Sequence, residues 1–327
     1  MSQSTSANGH RATIVTLTMN PALDITTRLD RVRPTDKLRC QGARHDPGGG
    51  GINVARVASV LGASVAAVFP AGGPTGDVIT DLLVGKGIPI HRVRISGRTR
   101  ESFTVNEECS GQQYRFVLPG PRLTFGERAQ CIDQLRAVAG SAQFVVASGS
   151  LPPGVPDDFY QHIADICRDL GTRLILDTSG TGLQHITSGV FLLKSSVREL
   201  RECVGRELAT EADQVAAAQE LIECGQAKVV VVSLGDRGAL LITPVVAQRV
   251  SAIRMRSGSG VGAGDAMVAA ITVGLSRGWP LPKSVRFGVA AGAAMLMTPG
   301  TAVCSRSDVE RLFELVAEPA DLSAMSS

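Results

Sequence analysis

The sequence predicts an α/β protein, with a doubly wound and mainly parallel sheet flanked by helices and a small β-sheet lid beside it. Short apolar runs alternate with amphipathic helical segments along most of the 327 residues, which is typical of parallel strands buried on both faces. Two stretches, 25–46 and 91–117, instead alternate polar and apolar residues with a period of two, as in a half-exposed antiparallel sheet. The 36 glycines cluster where these patterns break, which indicates tight turns and close approaches to a ligand.

The elements follow one another in a regular order. The segment ATIVTLTM predicts the first strand, and INVARVASVLG predicts a helix that ends at Gly62. SVAAVFP and GDVITDLLVGKG repeat this strand–helix unit, and the second half continues it with the strands QFVVAS, RLILDT, VFLLK and KVVVVSL. Helices are expected over PDDFYQHIADICRDLG and ADQVAAAQELIECG. We therefore expect an α/β domain from residues 11–24, 47–90 and 118–327, with residues 25–46 and 91–117 forming the lid.

Composition excludes several classes of function. A net charge of +3 without a basic run argues against nucleic acid as a partner. The apolar runs are too short to span a membrane, and the polar first ten residues do not resemble a signal peptide. The seven cysteines contain no CxxC pair and the five histidines are isolated, so neither a disulfide framework nor a metal centre of these residues is expected. Separate thiols suit a reducing cytoplasm.

The segment SGSGVGAGDAMVAAITVGLSRG, residues 257–278, is the most informative one. A glycine-rich turn leads directly into a helix whose first turn carries Asp265. The free N–H groups at such a helix start stabilise a phosphate or a developing negative charge, and Gly262 and Gly264 let the backbone approach it. Asp265 then suits the role of a base that accepts a proton from an attacking alcohol. On this loop alone, an ordinary helix cap explains Asp265 equally well.

Two further segments end in polar side chains. DPGGGGINVARVASVLG, residues 46–62, places four glycines before a helix and Asn53 one turn into it, where its amide could bind sugar hydroxyls or face solvent. Arg56 in the same helix is interpreted as a structural or surface charge. TMNPALD, residues 18–24, ends a strand at the sheet edge where open parallel sheets bind ligands. Asp24 could there bind paired hydroxyls, or lie unremarkably in a turn.

Taken together, these motifs resemble the ribokinase-like (PfkB) family of carbohydrate kinases. GGGGINVAR at 48–56 is similar to the first signature of the family, and GVGAGDAMVAA at 260–270 to its second. TMNPALD, FPAGGPTG, VASGSLPPGV, VVVSLGDRGAL and FGVAAGAAM follow in the family's order, so the resemblance extends from about Thr13 to Leu315. DKLRC, RTRESFTV and QYRFVLPG are similar to the branch of the family that phosphorylates fructose 6-phosphate.

The resemblance implies a role for each matching position. It implies MgATP as phosphoryl donor, potassium as a further candidate cofactor, and a homodimer formed through the lid. Asp265 is implied as the catalytic base, with an anion hole of Gly262, Ala263 and Gly264. The residues implied to bind the sugar are Asp24, Gly49, Gly50, Asn53 and Ser148. Lys37 and Arg100 are implied to face the charged end of a phosphosugar, and the planar guanidinium of Arg100 suits phosphate.

The nucleotide side departs from the family pattern. The family commonly has a proline and an asparagine within the segment that reads KSSVRE here, where Lys194, Ser196 and Glu199 are expected to bind the nucleotide and, through water, magnesium. Ser233, Gly235 and Gly238 follow a predicted strand and leave room for phosphates or ribose, although a plain turn would look the same. The small-residue helix VRFGVAAGAAMLM admits an adenine ring or a tight helix contact. We expect weaker nucleotide binding or altered regulation.

The expected activity is ATP-dependent phosphorylation of fructose 6-phosphate at its 1-hydroxyl, which yields fructose 1,6-bisphosphate. Tagatose-6-phosphate kinase and 1-phosphofructokinase activities share the same signatures and stay open as alternatives. Arg100 and the segment QYRFVLPG favour the first activity. A non-catalytic regulator that binds a sugar phosphate is the alternative of a different class, and the altered KSSVRE segment favours it.

Overall fold

The computed structural model describes residues 12–255, 260–298 and 302–322. The described strands are β1 (Ile14–Leu17), β2 (Ala22–Leu29), β3 (Gln41–Gly48), β4 (Val65–Ala71), β5 (Ile90–Arg94), β6 (Arg100–Glu107), β7 (Gln113–Val117), β8 (Phe144–Ser148), β9 (Arg173–Asp177), β10 (Val190–Ser196), β11 (Ala227–Ser233), β12 (Gly238–Ile242), β13 (Ala247–Ser251) and β14 (Ala320–Asp321). The described helices are α1 (Gly50–Val60), α2 (Gly73–Val84), α3 (Phe125–Ala139), α4 (Phe159–Leu170), α5 (Thr181–Gln184), α6 (Val197–Val204), α7 (Glu211–Glu223), α8 (Ala263–Ser276), α9 (Leu281–Met295) and α10 (Arg306–Phe313).

The main body is a ten-stranded sheet in the order β14-β13-β12-β11-β10-β9-β8-β1-β4-β5. The strands from β5 to β11 in this order pair in parallel, whereas β12, β13 and β14 extend the sheet as an antiparallel edge. One face is covered by a core that includes residues of α1, α2, α8, α9 and α10, and the other by a core that includes residues of α3, α4, α6 and α7. Helices on both faces of a mainly parallel sheet confirm the predicted doubly wound α/β fold. The strands are apolar throughout because both of their faces are buried.

The second sheet has four strands in the order β3-β2-β6-β7 and is the lid that the alternating stretches predict. Two of its three strand pairs are antiparallel as expected, whereas β2 and β6 pair in parallel from Ala22 opposite Arg100 to Leu29 opposite Glu107. Both strands enter the lid shortly after parallel strands of the main sheet, β1 and β5, and this explains their common direction. Residues 91–94 were misplaced in the lid, because they belong to β5 and pair with β4 in the main sheet.

The architecture brings the polar segments to one edge. The carboxyl ends of the parallel strands β1, β8, β9, β10 and β11 lie side by side there, and β2 leaves β1 at the same edge to form the lid. This is the edge at which open α/β sheets bind ligands. Every helix in the described part of the chain is too short or too polar to cross a lipid bilayer.

Candidate active site

An inner cavity of about 300 Å³ lies between the carboxyl edge of the main sheet and the lid. It brings together most of the residues that the sequence singled out, namely Asp24, Gly49, Gly50, Asn53, Arg100, Ser148, Lys194, Glu199, Gly262, Gly264 and Asp265. It also contains residues that sequence reasoning missed, above all Ser102 and Arg115 from the lid and Asp177 from the end of β9. The cavity is therefore a polar chamber lined by both carboxylates and cations, with two arginines on its lid side.

Asp265 is the third residue of α8, which begins directly after Gly262 in a left-handed conformation (φ 76°). Its carboxylate accepts a hydrogen bond of 2.9 Å from Nδ2 of Asn53, which belongs to α1. The side chain thus faces the cavity and a neighbouring helix, where a base would need to be. The first N–H of α8, on Ala263, donates to the carbonyl oxygen of Gly260 at 3.2 Å, and a helix start leaves its next donors without intrahelical partners.

Burial shifts the pKa of Asp265 toward neutral pH, as a base that acts there would need. Loss of solvation, strengthened by the negative charge of Asp177, raises the pKa of Asp265 to about 7. The hydrogen bond from Asn53 and the charge of Lys194 oppose this shift. Burial likewise raises the pKa of Asp24 to about 6, against the charges of Arg115, Arg100 and Arg56. Both carboxyl groups therefore titrate close to neutrality, which is typical of functional sites.

Lys194 and Asp177 form a buried ion pair at the carboxyl ends of neighbouring strands, with Nζ 3.1 Å from Oδ1. The ammonium also lies against the start of α8, because a Cβ atom at Gly264 would lie only 2.9 Å from Nζ. Gly264 is therefore the residue that allows the cation to approach the expected anion hole. Asp177 could have been found from the sequence, since it ends the apolar strand RLILD at the ligand-binding edge.

The lid supplies two arginines on one face of its sheet. Arg100 donates hydrogen bonds to the carbonyl oxygens of Asn20 (3.0 Å) and Leu118 (3.1 Å), which fix its guanidinium at the cavity. Arg115 on β7 pairs with Thr104 of β6, so the alternation of period two places it on the same face as Ser102 and Arg100. This alternation was the signal that could have identified Arg115 within QYRFVLPG.

Lys37 and Ser196 are not among the described residues that line the inner cavity. Lys37 is exposed in the segment between β2 and β3. Ser196 instead caps α6: its Oγ accepts from the N–H of Glu199 (3.2 Å), while its own N–H donates to Glu199 Oε2 (2.8 Å). This capping box fixes the carboxylate of Glu199, which does line the cavity.

An outer cavity of about 830 Å³ opens beside the first and is bordered by the antiparallel edge of the sheet, α8 and α9. Its lining includes the expected residues Ser233, Gly235, Gly238, Ala263 and Gly264, and Gly292 and Ala293 of the small-residue helix. Gly264 borders both cavities, so a molecule that extended from one to the other would pass the start of α8. Gly238 is needed for strand pairing, because a Cβ there would lie 2.0 Å from the carbonyl oxygen of Val250 on the neighbouring strand β13.

The glycine run before α1 has a packing role beside the expected one. A Cβ at Gly48 would lie 2.1 Å from Asp24 Oδ2, and a Cβ at Gly50 would lie 2.2 Å from Ser148 Oγ. These glycines therefore let two cavity side chains lie directly against the loop. Gly49 and Gly50 themselves line the cavity, which leaves their backbone accessible to a ligand.

Comparisons with known proteins agree with this geometry. The model of the pfkB family of carbohydrate kinases matches residues 16–308. ATP-dependent 6-phosphofructokinase isozyme 2 of Mycobacterium tuberculosis (strain H37Rv) is 67% identical over 309 residues, covering 94% of this chain and 91% of that protein. Crystal structures of phosphofructokinase-2 from Escherichia coli also match over 93% of this chain and 99% of theirs, in complex with fructose 6-phosphate (40% identity, TM-score 0.88) and with potassium (41%, TM-score 0.89). This chain belongs to the pfkB family of carbohydrate kinases.

Proposed function

We propose that this chain transfers the γ-phosphoryl group of ATP to the 1-hydroxyl of fructose 6-phosphate and forms fructose 1,6-bisphosphate. The observation that supports this most directly is the position of Asp265 in the first turn of α8, where it lines the same cavity as the lid arginines Arg100 and Arg115. The M. tuberculosis relative named as a 6-phosphofructokinase adds support at 67% identity.

The inner cavity suits a phosphosugar. The 6-phosphate would bind Arg100 and Arg115, because guanidinium groups bind phosphate through paired, charge-assisted hydrogen bonds. The hydroxyls would bind Asp24, Asn53 and Ser148, with the backbone of Gly49 and Gly50 alongside. In this orientation the sugar extends from the lid to Asp265 with its free primary hydroxyl innermost.

The outer cavity suits the nucleotide. Its apolar half, between Met267, Val289 and Leu296, would hold the adenine ring, and Ser233 and Gly235 would lie near the ribose or phosphates. The triphosphate would then pass Gly264 and place its last phosphoryl group over Gly262, Ala263 and Gly264. Lys194 lies beside this point, where its charge would stabilise the transferring group.

Asp265 would act as the base. Its carboxylate accepts the proton of the 1-hydroxyl as the hydroxyl oxygen attacks the γ-phosphorus and the bond to the β,γ-bridging oxygen breaks. The N–H groups at the start of α8 then face the oxygens on which negative charge develops. The proton remains on Asp265 until product leaves and solvent enters the chamber.

The side chains present also fit magnesium bound mainly through water and nucleotide. The described residues hold no group of three or more acidic, histidine or cysteine side chains arranged as a metal site. Mg²⁺ usually keeps several waters and takes few protein carboxylates, and Glu199 is a carboxylate of the inner cavity that would orient such waters. Magnesium would neutralise charge on the phosphates.

We extend the proposal to potassium, because the structure of the E. coli neighbour contains it. Turnover that is higher in potassium salts than in sodium salts would support this extension, and equal turnover would contradict it.

Substitution of the base separates a kinase from a non-catalytic regulator. A kinase with Asp265→Asn should lose turnover by several orders of magnitude and still bind MgATP and fructose 6-phosphate by calorimetry. Purified protein that shows no ATP-dependent phosphorylation of any hexose phosphate, before or after substitution, would contradict the proposal.

We place the activity in the cytoplasm, where ATP and sugar phosphates are available.

A coupled assay across related sugars tests the substrate. Fructose 6-phosphate should give the highest kcat/KM among fructose 6-phosphate, tagatose 6-phosphate, fructose 1-phosphate and ribose. A higher value for tagatose 6-phosphate or fructose 1-phosphate would replace the proposed substrate but keep the kinase chemistry.

A further inference from the structure

A chain of hydrogen bonds leads from the root of the lid to the catalytic carboxylate. Asp46, at the end of β3, accepts from Arg56 Nη2 at 3.0 Å. Arg56 Nη1 donates to Asn53 Oδ1 at 3.3 Å and to the carbonyl oxygen of Pro47 at 2.9 Å. Asn53 Nδ2 in turn donates to Asp265 Oδ2 at 2.9 Å. Arg56 is only 2% exposed and Asp46 only 3%, so the chain is protected from solvent at its origin.

The direction of this chain is set by the guanidinium. An asparagine amide presents an oxygen on one side and an NH₂ group on the other, and it can exchange them by rotation about one bond. The guanidinium of Arg56 has only donors, so it binds the amide oxygen and excludes the NH₂ group from that side. The NH₂ group of Asn53 is thereby directed at Asp265.

This direction matters most after proton transfer. A protonated Asp265 has an O–H donor, and a freely rotating Asn53 could turn its oxygen toward that donor and hold the proton on the base. With its oxygen already bound to Arg56, the amide stays in the orientation that stabilises the carboxylate. Asp265 can then release the proton and begin the next turnover with an acceptor oxygen directed at the substrate.

We propose that Arg56 is a positioning residue for the catalytic base, which acts by holding the side-chain amide of Asn53 in the orientation that donates to Asp265. The inference depends on the proposed function, since it assigns Asp265 the role of base. Arg56 is not among the described residues that line the inner cavity, so it acts through Asn53 and not on the sugar. Burying an arginine for packing alone would be costly, and an apolar side chain would fill the same space with less desolvation.

Other charged groups also act on Asp265 and must be separated from Arg56. Asp177 of β9, Lys194 of β10 and Asp24 of β2 all affect its acidity, and Arg56 itself acts on Asp24. Removing the charge of Arg56 would therefore change two carboxyl groups at once. Arg56→Lys keeps the charge beside Asp46 but lacks the planar fork that reaches both Asp46 and Asn53, so it isolates the orienting effect.

The test combines substitutions of Arg56 with a substitution of Asn53. Arg56→Lys and Arg56→Met should each lower kcat for fructose 6-phosphate roughly tenfold at pH 8.5, with KM for MgATP nearly unchanged. The acid limb of kcat/KM should move upward by about half a pH unit, because the carboxylate loses a directed hydrogen bond. In an Asn53→Ala background, Arg56→Lys should have almost no further effect on kcat, because it keeps the charge that acts on Asp24. Arg56→Lys decides the result if Arg56→Met does not fold.

Arg44→Met is the matched control, because Arg44 donates to the same carboxylate of Asp46 from a more exposed position. It should leave kcat and the acid limb unchanged. The inference is overturned if Arg56→Lys has the kcat and acid limb of the wild type, or if its effect multiplies in full with that of Asn53→Ala. Either result would leave the kinase activity itself established.

A readout without catalysis separates this inference from the proposed function. The stability gained by Asp265→Asn, measured by unfolding across pH, reports the acidity of Asp265 directly. The pH at which half of this stability gain is reached should be higher in the Arg56→Lys background than in the wild-type background. An unchanged midpoint would overturn the inference even if the chain phosphorylated no sugar, and that absence of turnover would by itself contradict only the proposed function.

Discussion

At the residue scale, the proposed role of Asp265 as a base has a cost in stability. A base must be deprotonated to accept a proton, and burial raises the pKa of Asp265 to about 7. We therefore expect kcat/KM to fall as pH decreases below about 7, approaching tenfold per unit, and more steeply below about 6, where Asp24 also protonates. Rate profiles from pH 5.5 to 8.5 measure this. Asp24→Asn should remove the steeper part and keep the limb near 7, and a flat profile would contradict the assignment.

The same burial predicts that the charged side chain of Asp265 destabilises the fold. The pKa of Asp265 is raised from 3.8 in the unfolded chain to about 7, so its charged form costs stability above pH 7 and the cost disappears as pH falls toward 4. Asp265→Asn should then stabilise the protein at pH 8 by on the order of 1 to 4 kcal/mol, and by less at pH 5. Urea unfolding at both values measures the difference. Equal gains at pH 5 and pH 8 would show that the carboxyl group does not titrate as described.

Arg115 is the lid residue whose substitution best tests sugar-phosphate binding. It is exposed at the mouth of the cavity and is the largest of the charges that lower the pKa of Asp24. Arg115→Met should raise KM for fructose 6-phosphate roughly tenfold or more and leave KM for MgATP unchanged. Arg28→Met is the matched control, because Arg28 lies on the same sheet and pairs with Glu108 at the surface. Steady-state kinetics with each substrate varied decide between them, and equal effects of the two variants would refute the assignment.

At the element scale, α6 connects a helix cap with the nucleotide side of the site. Ser196→Ala removes the hydroxyl that caps this helix, so we expect a loss of about 1 kcal/mol in stability and a severalfold rise in KM for MgATP. Thr210→Ala is a matched control, because Thr210 and Asp213 form the same capping box at the start of α7. It should cost similar stability without changing KM. Unfolding curves and kinetics of both variants provide the comparison, and a rise in KM shared by both would exclude a local role for Ser196.

The elements also show which parts of the site could be predicted. Asp265, Asn53 and Asp24 were found because each follows a strand or opens a helix at a place that glycine patterns mark. Arg115 and Asp177 were missed although the alternation in QYRFVLPG and the end of the strand RLILD mark them, because only strand pairing brings both to the cavity. Lys37 stays a prediction, since it is exposed between β2 and β3 and is not among the described residues that line the inner cavity. Ser196 was assigned to the ligand, whereas local hydrogen bonding uses it as a cap.

At the scale of the whole molecule, parallel strands with helices on both faces could be predicted, because buried runs and amphipathic periods are local signals. The parallel pairing of β2 with β6 could not, since it depends on the directions of β1 and β5 in the assembled sheet. The assignment of 91–94 to the main sheet likewise follows from pairing with β4, which no local pattern shows. Local sequence patterns thus predicted which segments form strands and helices, whereas the pairing of strands far apart in the chain could be seen only in the structure.

The lid leads to a prediction about assembly. Phe116 on its edge strand β7 (54% exposed) and Leu118 just after that strand (45%) expose apolar side chains. We expect these residues to be covered in a homodimer formed through the lid, as such clusters are in interfaces. Phe116→Asp should shift the protein toward monomer in sedimentation velocity experiments. Phe125→Asp, an exposed phenylalanine on α3 outside the lid, should not, and a wild-type protein that sediments as a monomer would refute the lid dimer.

The hydrogen bond between Asn53 and Asp265 joins residues 212 positions apart, and this separation has a consequence for biosynthesis. Contacts between distant parts of a chain close late, because a long loop must be ordered before they form. A ribosome must therefore release the strands of both halves and the start of α8 before any catalytic centre exists. Nascent chains that end before Asp265 are free of this activity whatever secondary structure they have gained. During refolding, recovery of turnover is then a late signal that follows the assembly of the complete sheet.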